Sequence, residues 1–202
     1  MRTITRRERE KENMRNAILE AATKIIVNEG YENLSMRKIA NEIEYTPTTL
    51  YNYYKDKMQI VNDIAREVYK KIVSNAKIVI EKNKDVPIHY QLELVFKAFI
   101  DTMTSNAEMG KAVIRSGSQA IFGDREEAEA PENNGILMLH NLLLKGQQKS
   151  VFRKLDENMS WMLITALIGF SINAIENQLY LNNNWQGVVH TYVELLVHGL
   201  LL

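Results

Sequence analysis

The chain has 202 residues, 46% of them hydrophobic, with 25 basic and 25 acidic side chains and a formal net charge of +0. That length allows one large domain or two small ones with a sizeable core. The balanced charge excludes nucleic-acid binding by bulk basicity, so any such binding has to use local clustering. Cysteine is absent, which excludes disulfides, thiolate metal sites and cysteine nucleophiles and fits a reducing, cytoplasmic setting.

The first ten residues, MRTITRRERE, are charged and no apolar run follows, so no signal peptide is expected. Arg2, Arg6, Arg7, Arg9 and Lys11 form a basic arm diluted by Glu8, Glu10 and Glu12. It reads either as a flexible tail touching phosphates or the minor groove, or as a solvated, frayed terminus. Met14, Ile18, Ala22, Ile25 and Ile26 recur at helical spacing and predict a first helix over residues 12–28, stopped by Gly30.

Residues 35–57, SMRKIANEIEYTPTTLYNYYKDK, are the stretch around which the rest is organised. Ser35 is placed to cap a short helix whose inner face is Ile39, Ala40 and Ile43. Glu44 and Tyr45 make a turn. Thr46 then caps a second short helix, over residues 46–54, with Pro47 at its first position, where a missing N–H is no loss. Leu50 and Tyr54 are four apart and point inward, leaving Thr48, Thr49, Tyr51, Asn52 and Tyr53 outward. Asp56 caps a long third helix. Small hydroxyls, an amide and phenols, bracketed by Arg37, Lys38, Lys55 and Lys57, suit a major groove and its flanking phosphates. Thr46, Pro47, Thr48, Thr49, Tyr51 and Asn52 are the expected readers of bases. Ser35, Arg37, Tyr51, Tyr53, Lys55 and Lys57 are the expected phosphate contacts.

The long helix is predicted over residues 57–82, where Ile60, Ile64, Val68 and Ile72 repeat every four residues. It is long enough to leave the small domain and act as a lever on it. Asn83, Lys84 and Asp85 break it, and Pro87 opens a helix faced by Leu92, Val95, Phe96, Phe99, Ile100 and Met103. A short helix with Met109, Val113, Ile114 and Ala120 follows. Residues 123–135, GDREEAEAPENNG, are expected to form a mobile, solvated loop. Leu137, Met138, Leu142, Leu143 and Leu144 predict a helix reaching about Val151 and Phe152, and Asp156 is expected to cap the next one. That helix, over residues 159–177, is apolar nearly all round and has to be covered on every side. Its most apolar stretch, Trp161 to Ile175, contains Thr165, Ser171 and Asn173 and falls short of the ~20 residues of a membrane span. The last helix carries Val188, Val189, Tyr192, Val193, Leu196 and Val197. Two such helices read either as a buried pair inside a monomer or as a subunit interface. The interface is favoured, because a two-fold dimer gives the N-terminal module a symmetric mate.

Catalytic constellations and Gly-rich phosphate loops are missing from the sequence, so neither an enzyme nor a cofactor is expected. His190, Glu194 and His198 lie along one side of the last helix. A metal wants its ligands closer together, and a polar surface stripe is the expected reading. Phe96, Phe99, Met103, Phe122, Met138, Trp161, Met162 and Phe170, with His140, Asn141 and Asn173 as polar groups, have the composition of a largely apolar ligand site. Composition alone favours a packed core instead.

Gly30–Tyr31, Ser35, Ile39–Ala40, Tyr45–Thr46, Thr49–Leu50–Tyr51, Tyr53–Tyr54 and Lys57, in this order and spacing, resemble the DNA-binding segment of the tetracycline-repressor (TetR) family of bacterial transcription regulators. The commonest pattern of that family has glycine in the turn and early in the reading helix, where this chain has Glu44 and Thr48. The resemblance implies an all-α fold of about nine helices. A three-helix helix-turn-helix domain would occupy residues 1–56, and a C-terminal bundle for ligand binding and dimerisation residues 57–202. It implies a cytoplasmic homodimer that represses transcription at a palindromic double-stranded DNA operator and is released by a small, largely apolar effector. It also turns the aromatic and methionine set above into an effector site. The alternative is a helical ligand- or partner-binding protein that does not read DNA.

Overall fold

The computed structural model describes residues 5–105, 107–116 and 134–202. Arg2, Ala120, Phe122 and the acidic run of the 123–135 loop lie outside the described residues. Among those described, the chain forms nine α-helices and no named strand. They are α1 (Arg6–Glu29), α2 (Met36–Glu42), α3 (Pro47–Tyr51), α4 (Lys57–Lys82), α5 (Ile88–Thr104), α6 (Ala107–Ser116), α7 (Gly135–Gln148), α8 (Met159–Glu176) and α9 (Trp185–His198).

The fold is all-α, as expected, with corrections at element ends. Helix α1 begins at Arg6 rather than near Glu12, so Arg6, Arg7, Arg9 and Lys11 of the basic arm lie in its first two turns. The cause is a capping box: the Thr5 side chain accepts from the Glu8 amide at 3.2 Å, and the Glu8 carboxylate accepts from the Thr5 amide at 2.8 Å. Those hydrogen bonds hold the Glu8 carboxyl below its usual range. Helix α3 ends at Tyr51, because Asn52 and Tyr53 turn tightly back onto the Thr49 and Leu50 carbonyls, and Asp56 already caps α4. Asp156 does not cap α8. Its carboxylate accepts from the backbone and side-chain nitrogens of Asn158, a turn one step before the helix starts.

Three apolar clusters divide the interior. The first joins α1, α2, α3 and the start of α4, with Ile18, Ile26, Ile39 and Leu50 fully buried. It runs on past Asp56 to Ile60, Val61 and Ile64. The largest cluster centres on α5, which packs against α4, α6, α7, α8 and α9. Between them lies a small third cluster of Ala65, Ile72 and Met103. Two glycines permit close approaches. A Cβ on Gly110 would meet Ile175 at 2.4 Å and the Met103 carbonyl at 2.9 Å, so glycine lets α6 press onto α5 and α8. A Cβ on Gly146 would meet the Phe152 ring, which folds back over α7. There Phe152 pairs with Leu201 in an isolated bridge, tying the chain's end to the turn after α7.

Helices α8 and α9 run against each other. The Tyr192 hydroxyl donates to the Ala166 carbonyl at 2.7 Å, and the Phe170 ring stacks on Tyr192 and Trp185 with centroids 4.0 and 5.7 Å away. In the single chain α8 is not covered on every side. Leu163, Leu167, Ala174 and Ile175 face the core, while Trp161 and Met162 are exposed and Gly169 faces open space. It has 18 residues and a mean hydropathy of 1.4.

Candidate nucleic-acid interface

The reading head is built from the inside out. Leu50 and Tyr54 are buried, as their spacing predicts. The Tyr54 hydroxyl donates to Asp63 at 3.0 Å, Asp63 also pairs with Arg66 at 2.9 Å, and the Arg15 guanidinium lies 4.8 Å from the centre of the Tyr54 ring. Burial pushes the Tyr54 phenol above its usual range, so it stays a neutral donor. The same contact, through Tyr54 first and Asp63 after it, raises Arg15. This knot locks α1 to α4 and fixes the end of α3 between them.

The cap residues act where the sequence places them. Ser35 accepts from the Lys38 amide at 3.2 Å, and Thr46 accepts from the Thr49 amide at 3.3 Å. The hydroxyls of Thr46 and Thr49 also bond each other at 3.0 Å. With both faces of its N-terminus held, α3 presents Thr46, Thr48, Tyr51 and Asn52 to solvent, with Pro47 and Thr49 half-buried. Tyr45, exposed in the turn beside them, was not among the expected contacts. Its signal was its place between a turn and a cap, where no core position exists for a ring.

Two expected phosphate contacts are placed otherwise. Lys57 is half-buried: its ammonium donates to the Leu34 carbonyl at 3.3 Å and sits 5.1 Å from the centre of the Tyr31 ring. Tyr53 packs partly against the head's core. Lys38 pairs with Glu29 at 2.6 Å. Arg37 and Lys55 are exposed and, among the described residues, have no acidic partner. The surface cations left for an anionic partner are thus these two, with the outward basic residues of α1.

The turn between α2 and α3 bends through Glu44 at φ 59°, a left-handed conformation that favours glycine. Replacing Glu44 with glycine is expected to stabilise the chain by about 1 kcal/mol, the relieved strain exceeding the added freedom of the unfolded chain. Thermal melting checks it, and a lower midpoint would show that the strain is taken up elsewhere.

The expected effector residues do not gather at one place. Phe96, Phe99 and Met138 line a small apolar cavity of about 50 Å³ between α4, α5, α7 and α8. Met103 belongs to the third cluster, and Phe170 to the ring stack. Trp161, Met162, Asn141 and Asn173 face solvent, and His140 is half-buried on α7. Phe122 lies outside the described residues. His190 and His198 stand 3.9 and 3.8 Å from Glu194, exposed on α9, as a surface stripe.

Residues 18–64 match the family described as bacterial regulatory proteins, tetR family. No curated protein matches the chain in sequence. Three solved structures share its fold at low identity. A protein with unknown function from Rhodococcus sp. RHA1 is 13% identical with a TM-score of 0.72, covering 94% of this chain and 96% of its own. The fatty acid degradation regulator FadR from Bacillus halodurans is 16% identical with a TM-score of 0.66, covering 91% and 94%. A TetR family transcription regulator from Marinobacter aquaeolei VT8 is 16% identical with a TM-score of 0.64, covering 98% and 99%.

Proposed function

We propose, from the match of residues 18–64 to the tetR family of bacterial regulatory proteins, that this chain is a homodimeric repressor released by a small-molecule effector. The observation that carries the reading is the two-faced α3, with Leu50 and Tyr54 sealed into the head while Thr48, Tyr51 and Asn52 project from it. Thr46, Pro47, Thr48, Thr49, Tyr51 and Asn52 read base edges, and Ser35, Arg37 and Lys55 hold phosphates. Tyr45 joins them as a contact from the turn. Lys57 and Tyr53 act one step back, by fixing the head's shape.

Dimerisation through α8 and α9 supports this. Met162, Val188 and Leu195 are large apolar side chains exposed on the single chain, and a second copy would cover them. Two copies of α3 would then reach successive major grooves of a palindromic operator, about 34 Å apart. The effector shifts the dimer between two arrangements of α4 and so the spacing of the heads, and only a ligand binding the two unequally can do so. Such a protein works in the cytoplasm, where the DNA is.

The test is a gel shift with DNA from upstream of the chain's own gene, repeated across a salt series. Binding should be about a thousandfold or more tighter than to random DNA, with affinity falling steeply as salt rises. Equal affinity for both DNAs would refute operator recognition.

A further inference from the structure

The head and the bundle do not close completely on each other. Leu19, Thr23 and Val27 of α1, four residues apart, form one wall of a groove. Ile64, Val68 and Lys71 of α4 form the facing wall, and Met103 and Met109 contribute from α5 and α6. The groove holds about 350 Å³, inside the roughly 300–1,000 Å³ range of small-molecule sites. The cavity in the bundle, at about 50 Å³, has room for a little water and not for a drug-sized molecule. Two larger surface hollows mix charged and apolar side chains, with Lys77, Glu81 and Lys145 in one and Glu29, Glu108 and Lys111 in the other. Among the described residues, the groove combines volume, mostly apolar walls and contact with both halves of the molecule.

Glu67 and Lys71 stand together on its α4 rim, and Glu67 pairs with Lys70 at 3.0 Å. Lys71 has no acidic partner among the described residues. The nearby hydroxyls are weakly available, since Thr102 donates to the Ala98 carbonyl at 2.7 Å and Ser105 to the Thr102 carbonyl at 3.0 Å. An apolar trough with one uncommitted ammonium at its edge complements a compact apolar body carrying one negative charge. The two methionines can adapt to its shape.

We propose that this groove between α1, α4, α5 and α6 binds a small organic monoanion with an aromatic or alicyclic body, seated with its charge at Lys71. The proposal rests on the regulator reading for its purpose, since such a ligand would be an effector wedged at the joint, but not for its binding.

The probe is 1-anilinonaphthalene-8-sulfonate, titrated by fluorescence into the full chain, with the uncharged parent 1-anilinonaphthalene as comparison. The sulfonate should bind at one site per chain. Thr23→Trp, which fills the trough, should weaken it tenfold or more, and Lys71→Gln about fivefold. The uncharged probe should not respond to Lys71→Gln. Tyr90→Ser, exposed on α5 and away from the groove, should leave both probes unchanged. Sulfonate binding that ignores both groove substitutions, or that follows Tyr90→Ser instead, would overturn the site. Should Thr23→Trp fail to fold, the Lys71→Gln comparison of the two probes decides alone: an equal response of both, or of neither, overturns the proposal. The gel shift separates the two readings. Groove binding with no operator removes the regulator and keeps the site, whereas operator binding with a groove-blind probe removes the site alone.

Discussion

Tyr51→Ala is expected to weaken operator binding by about 1–3 kcal/mol, roughly 5- to 150-fold, while stability stays within about 0.5 kcal/mol of the parent. The Tyr51 ring is 55% exposed, so truncation leaves no void to fill. Tyr54, three residues on, is the internal contrast. It is 1% exposed, its hydroxyl is bonded to Asp63, and Arg15 covers its ring. Tyr54→Ala should cost about 3–5 kcal/mol of stability, since it removes a large buried ring and one of the hydrogen bonds held by Asp63. Fluorescence anisotropy with labelled operator and thermal melting, run on both variants, read the difference. A Tyr51→Ala protein that holds its operator as tightly as the parent would take α3 out of the major groove.

Leu195→Glu is expected to split the dimer. Leu195 is 70% exposed on the single chain and lies on the side of α9 that α8 does not cover. In a two-fold interface the substitution buries two like charges without partners, at a cost of about 3–5 kcal/mol for each unpaired charge. Association should weaken by well over a hundredfold. Operator affinity should fall by about 10²–10⁴, because two half-sites then bind separately rather than as a linked pair. Sedimentation measures the first and anisotropy the second. A variant that sediments as the parent does would place the interface elsewhere.

The parts of the fold that were legible in the sequence are those fixed by short-range chemistry. Helix α4 spans Lys57–Lys82 as its periodicity and the Asp56 cap predict, and Ser35 and Thr46 cap the helices assigned to them. The early start of α1 is written in Thr5 and Glu8, three residues apart. Directions between helices were not legible. Phe96 and Trp161 are equally plausible as pocket linings by residue type, yet one faces a small cavity and the other solvent. That choice depends on how α8 rotates against α5, and on Gly110 letting α6 in close, which no local pattern encodes. Lys57 was misplaced for a related reason. Its partner, the Leu34 carbonyl, comes from a loop 23 residues earlier.

That distant grip has a mechanical outcome. With Lys57 clasping the Leu34 carbonyl, and Ile60, Val61 and Ile64 sunk among the side chains of α1–α3, the first two turns of α4 are welded to the reading surface. There is no slack at residue 56, where the helix count would put a joint. Ala112 of α6 is buried in the same cluster, so the bundle grips the three N-terminal helices through α6 as well as through α4.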